Sequence, residues 1–242
     1  MTLKVKRAGV FVPVGGGVAI PQPTCIGYDA DNFASSGTSL AWGPIDYIDG
    51  DLLVMSVMSR SVLTTPAGWT LHSVASVPYL TPGLQYTSIL SRRMTGAGDA
   101  SGTLVQASSN RMIIGVLNFR GAGTPIDRSD LTLLTEDKRG VYSFTVPGKG
   151  DTSNLVVWAL STPFWTTATD ESPPYISNRY APWESSPIMG RPVWSQPTTN
   201  DQPRLGMFLD RDASAPITFT ATTNNSDGWV ALVAVEIPGI TP

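Results

Sequence analysis

His72 is the only histidine and Cys25 the only cysteine among the 242 residues, and this scarcity limits the chemistry open to the chain. A serine triad needs a histidine base beside its nucleophile, and no G-x-S-x-G elbow occurs to present that nucleophile. Zinc centres draw on several histidine and thiolate ligands, and this chain has too few. Cys25 cannot form an intramolecular disulfide and reads as a small buried hydrophobe. His72 falls in the stretch Trp69-Thr70-Leu71-His72-Ser73, where strand alternation places it on the solvent side, away from Trp69 and Leu71.

Carboxylates are the remaining reactive groups. Asp170, Glu171 and Glu184 lie near tryptophans in sequence, and a carboxylate pair is what a glycosidase uses as acid and base. The clusters "DADN" (29–32), "DGD" (49–51) and "DRD" (210–212) have the acidity of calcium sites. None completes a ligand loop, so they read as solvated turn ends. The glycine-rich "PVGGGVAIPQ" lacks the Lys-Ser/Thr of a phosphate loop and runs into prolines where a helix should begin. No catalytic residue, cofactor or metal is expected.

The composition describes a different kind of molecule. The chain is 41% hydrophobic and only 14% charged, against roughly 25% charged in ordinary soluble domains. Its formal net charge is −3, so no overall positive field draws it to nucleic acid. No apolar window has the length of a membrane-spanning helix, and membrane insertion is not expected. The N-terminus has the basic-then-apolar order of a signal peptide, but Pro13 and Gly15-Gly16-Gly17 interrupt it, and it reads as mature sequence.

Helical periodicity is nearly absent, while strand signals recur at close spacing between Gly, Pro, Asn and Asp. "DLLVMSVM" (51–58), "RMIIGVLNF" (111–119), "NLVVWAL" (154–160) and "WVALVAVEI" (229–237) are almost continuously apolar. They predict central strands buried on both faces, each needing a cover from a second sheet, a loop or a partner. Weaker alternating strands are predicted at 69–76, 84–92, 101–107, 141–146, 204–210 and 216–222. About ten strands in one unit predict an all-β, antiparallel, jelly-roll-like sandwich spanning residues 21–242. Pro66 and Gly68, in "TTPAGWTLHSV" (64–74), predict a corner at the rim of the sandwich, with Trp69 entering the core as the first residue of the next strand.

Two segments stand outside that pattern. Residues 1–20 hold "LKVKRAGVFVPV", a strand or a hairpin turning near Ala8-Gly9, followed by the glycine run. This is an arm, with Val5, Val10, Phe11, Val12 and Val14 as docking residues, suited to pairing with another subunit's sheet edge. Residues 161–203 show no strand pattern and carry eight prolines. Trp165, Tyr175, Arg179, Tyr180, Trp183, Arg191 and Trp194 make this segment a candidate contact surface for a partner or a glycan, because Trp, Tyr and Arg dominate interface hot spots.

The ordered words "GDLLVMSVMSRS", "TTPAGWTLHS", "VLNFRGAGTPID", "DTSNLVVWAL" and "WVALVAVEIPG" resemble a recurrent pattern in virion proteins of tailed bacteriophages, over roughly residues 48–238. Those proteins are of the minor tail, tail-tip, fibre and head-decoration types. The resemblance implies a non-enzymatic structural protein assembled in the host cytoplasm into a virion, where it contacts other virion proteins. It supplies no catalytic residues, and Gly50, Asp51, Pro66, Gly68, Trp69, Arg120, Gly121 and Asp127 are read as fold determinants. A homo-oligomer is expected from the low charge and two-faced apolar strands, with threefold symmetry implied by resemblance to phage spikes. The alternatives are a module that binds host cell-surface glycan through the 161–203 aromatics and a virion-associated glycosidase.

Overall fold

Period-two sequences cover most of the chain, and the computed structural model turns them into antiparallel sheets. It describes residues 4–7, 10–13, 22–34, 36–78, 83–136, 140–146, 154–165, 175–177, 202–210, 217–223 and 229–240. The all-β antiparallel sandwich is present, and it has one layer more than two.

The middle layer is a five-stranded sheet. It runs in the order β3 (Thr24–Ala34), β10 (Met112–Arg120), β5 (Leu52–Ser59), β8 (Leu84–Arg93) and β7 (Thr70–Pro78). The apolar runs at 51–58 and 111–119 form its interior strands, β5 and β10, whose residues are buried almost without exception. One layer against it contains β18 (Trp229–Ile237) and β14 (Leu155–Trp165), extended by β16 (Gln202–Asp210). The short strands β11 (Ile126–Asp127) and β12 (Leu133–Glu136) both pair with β18, separated by the 3-10 turn Ser129–Leu131. Leu52, Val54, Ile113, Leu117 and Phe119 meet Leu155, Val157, Ala159, Val233 and Val235 in the core between these sheets.

The opposite face of the middle sheet is covered by the chain itself. A small sheet of β4 (Ser39–Tyr47), β9 (Gly98–Gln106) and β6 (Leu63–Thr64) lies over it. Leu53, Met55, Val57, Ile114 and Val116 pack there with Trp42, Ile45, Ala100 and Leu104 in a second core. The β14–β18 sheet is also buried on its far side, where Val156, Trp158, Leu160, Leu232 and Ala234 alternate with the core residues. The middle-sheet strands β5 and β10 therefore find cover on both faces within one copy.

Local chemistry explains how the layers connect. The Pro66–Trp69 corner closes with the Trp69 amide donating to the Pro66 carbonyl at 3.1 Å, while Gly68 takes φ +78°. It carries the chain from β6 in the cover sheet to β7 in the middle sheet. Trp69 precedes the strand, which begins at Thr70, rather than opening it. Its buried ring meets Trp42 edge-to-face, with centroids 5.6 Å apart at 87°, a favourable aromatic geometry. In β4 a bulge between Trp42 and Ile45 holds Gly43 at φ +87°. A Cβ on Gly43 would lie 2.5 Å from the Ala100 carbonyl oxygen, so only glycine fits that crossing.

Two further sheets complete the described residues. β13 (Gly140–Val146), β17 (Ile217–Thr223) and β15 (Tyr175–Ser177) form one, in the order β13-β17-β15. In the other, β1 (Lys4–Arg7) and β2 (Val10–Pro13) pair as an antiparallel hairpin with Arg7 opposite Val10. The hairpin alternative for the N-terminal segment is thus the observed one.

Three expectations are corrected. The segment 161–203 is not strand-free: β14 continues to Trp165, β15 spans Tyr175–Ser177, and β16 starts at Gln202. The β14 signal was hidden by Pro163, which sits where the pairing with β16 shifts register between Thr162 and Trp165, since proline cannot donate to a ladder. "DADN" is not a turn but part of edge strand β3, with Asp29 opposite Val116 and Asn32 opposite Ile114. Alternation fails at His72 because β7 bulges between Leu71 and Ser73, leaving Leu71 44% exposed and His72 half-buried.

Candidate functional site

Residues from two of the motif words that carry the virion resemblance meet at one rim of the middle sheet. Asp51 ends the turn before β5 and Arg120 ends β10, so the pairing of these neighbouring strands brings the two together. Arg120 Nε and Nη2 donate to Asp51 Oδ1 and Oδ2, each at 3.1 Å, in the fork geometry that makes arginine–carboxylate pairs strong. The Ile48 amide donates to Oδ2 at 3.0 Å, and Asn118 Nδ2 reaches the same oxygen at 3.4 Å. Asp51 is 1% exposed whereas the Arg120 side chain is 49% exposed. Burial works against the Asp51 charge, but the donors from Arg120, Ile48 and Asn118 and the Arg120 charge together hold its pKa below the ordinary value.

Arg93 joins the turns around this pair. Its Nη1 donates to the carbonyls of Gly50 at 2.8 Å and Ala122 at 2.7 Å, and Nη2 donates to that of Gly123. Asn118 Nδ2 also donates to the Asp46 carbonyl at 2.7 Å, tying the middle sheet to the cover sheet. This constellation organises backbone: its donors end on the carbonyls of Gly50, Ala122, Gly123 and the β4 residue Asp46, or on Asp51. Of the residues read as fold determinants, Gly50, Asp51 and Arg120 belong to this cluster.

A second polar cluster lies under β11. Arg128 Nη1 donates to Glu236 Oε2, Arg128 Nε donates to Asp130 Oδ1 at 3.0 Å, and Asn154 Nδ2 donates to Glu236 Oε1. Arg128 and Glu236 are both buried, at 6% and 4% exposure. Sequence reasoning missed Arg93 and the Arg128–Glu236 pair. A glutamate inside the apolar run "WVALVAVEI" was the available signal, since a charge there requires a partner.

His72 is the one imidazole, and its Nε2 lies 2.7 Å from Ser91 Oγ. Burial lowers its pKa and nearby Asp127 opposes that shift, so the neutral ring is favoured. Ser91 is 4% exposed. The pair joins neighbouring strands β7 and β8 of the middle sheet. Among the described residues no three His, Cys, Asp or Glu side chains converge on a metal position.

Of the expected contact residues, Trp165 is the last residue of β14 and Tyr175 the first of β15. Arg179, Tyr180, Trp183, Arg191 and Trp194 lie outside the described residues. Val5, Val10, Phe11 and Val12 fall in the hairpin strands, and Val14 lies outside the described residues. The fold class is thus a layered all-β sandwich. Comparison with family models, curated proteins and solved structures finds no match for this chain.

Replacing Asp51 tests the rim cluster. Asp51→Ala is expected to cost about 2–3 kcal/mol, because it leaves the Ile48 amide unsatisfied and removes charge-assisted bonds. Asp51→Asn should change the acid limb. A carboxyl whose folded pKa lies below its unfolded value of 3.8 adds stability that is present above that value and is lost as pH falls through the folded pKa. Below about pH 4 the wild type should therefore lose stability more steeply than Asp51→Asn in urea titrations. Parallel profiles would remove Asp51 from the acid response.

Proposed function

We propose that this protein is a non-enzymatic structural component of a tailed-phage virion, of the minor tail, fibre or tip, or decoration type. The observation that carries the reading is the rim: Asp51 and Arg120, from two separate words of the resembling pattern, form one bidentate pair that fixes the ends of β5 and β10. Pattern residues that meet to hold a fold suit a scaffold whose work is contact. The β1–β2 hairpin, separated from the body by a glycine run, serves as the docking arm on neighbouring virion proteins.

Mass spectrometry of purified particles should find the chain in multiple copies. A version lacking residues 1–20 should fold and remain soluble yet be missing from those particles. If the shortened chain assembles normally, the arm is not the attachment element. Glycan-array binding that is lost in Trp183→Ala or Trp194→Ala would replace this reading with a glycan-binding module. Reducing-end release from host polysaccharide, lost in Glu184→Gln, would make the protein a glycosidase.

A further inference from the structure

Among the described residues the middle sheet has one edge strand without a charged side chain. Proteins protect sheet edges with charged residues, prolines and bulges, because an open edge templates pairing with another chain. Edge strand β3 contains Asp29 and Asp31, and cover-sheet edge β4 contains Asp46 and Pro44. Strand β16 carries Pro203, Arg204 and Asp210, while β11 and β12 carry Asp127 and Glu136. Strand β7, "TLHSVASVP", has no Lys, Arg, Asp or Glu, and among the described residues it pairs with β8 alone.

The face of β7 is open as well. No β7 residue joins the core beneath the cover sheet, and Val74 and Leu71 are 52% and 44% exposed. The bulge at His72 and the proline at Pro78 bracket a regular run, Ser73–Val77. A run of that size matches the four-residue strands of the β1–β2 hairpin.

Charge favours the same partner. Strand β1 is "KVKR", three cations in four residues, and residues 1–28 contain no Asp or Glu. Packed against β7 are β11, β12 and the 3-10 turn, which bring the exposed carboxylates Asp127 and Asp130 to its flank. Among the described residues the hairpin strands pair with each other and β7 pairs with β8.

We infer that strand β1 of one copy adds to the free edge of β7 of a second copy, with Lys4 and Lys6, which share one face of the strand, on the side of Asp127. The contact joins two different surfaces, so it closes by reciprocal exchange in a dimer or around a larger ring such as a trimer. The inference rests on the docking-arm reading, from which it takes the hairpin as donor, and it names both the acceptor strand and the partner.

The test uses full-length chains in a Cys25→Ser background. One population carries Val5→Cys and the other Val74→Cys, and a short bismaleimide spans any offset in register. Mixed populations should give a covalent pair containing one chain of each kind. Links only within one population, or none, would overturn the inference. By light scattering the unmodified protein should associate, and Val74→Lys with Ser76→Lys should weaken association at least tenfold. Both sites are exposed, so the double variant should keep the wild-type circular dichroism. A wild type that stays monomeric at high concentration, or lysines without effect, would also overturn it. Absence from particles with the mixed cross-link intact would sink the virion assignment instead and leave this contact standing.

Discussion

Leu52→Ala and Leu53→Ala should each lower the unfolding free energy by about 2–5 kcal/mol, the range for emptying a packed leucine site. The two residues are adjacent in β5, so their side chains leave opposite faces of the sheet. In a two-layer sandwich one of them would face solvent, and its truncation would be almost silent. Here Leu52 is 1% exposed, in the core against β14 and β18, and Leu53 is 0% exposed, in the core under β4 and β9. Urea denaturation of both variants measures the two interfaces separately. A Leu53→Ala loss below about 0.5 kcal/mol would mean that the cover sheet does not pack on the middle sheet.

Arg128→Met is the other substitution with a large expected effect, about 3–5 kcal/mol. It strands the buried Glu236 carboxylate with Asn154 as its remaining side-chain donor at this cluster. Burial opposes the Arg128 charge, but hydrogen bonds and charges from Asp130 and Glu236 outweigh it and raise the guanidinium pKa. Because most of the cost comes from an orphaned charge, adding Glu236→Gln to Arg128→Met should recover more than half of it. A double-mutant cycle measures that coupling. Additive losses would place the two residues in independent environments.

The interior was legible in the sequence wherever a strand is apolar on both faces. The runs at 51–58, 111–119, 154–160 and 229–237 correspond to β5, β10, β14 and β18. For β5 and β10 they announced that both faces needed covering but could not name the second cover, because β4 supplies it with an uneven pattern broken by Gly43-Pro44. Strand β3 was hidden for a related reason: an edge strand tolerates polar residues such as Asp29, Asp31 and Asn32. At the site, Asp51 and Arg120 were legible as fold determinants, but not their pairing. They are 69 positions apart in the chain, and only the β5–β10 register unites them. His72 was misplaced because one extra residue in a bulge reverses every later side chain, and composition carries no sign of that insertion.

The order in which the layers are encoded has a consequence for the chain as it is made. The middle and cover sheets are complete once Arg120 has left the ribosome, whereas the last strand of the opposing sheet ends at Ile237. At translation speeds of roughly 5–20 residues per second, one face of the nascent middle sheet waits on the order of ten seconds for its partner. During that interval Leu52, Val54, Ile113, Leu117 and Phe119 form an uncovered apolar surface on an otherwise formed half-molecule. A transiently exposed apolar face of this kind makes an unfinished chain prone to aggregate.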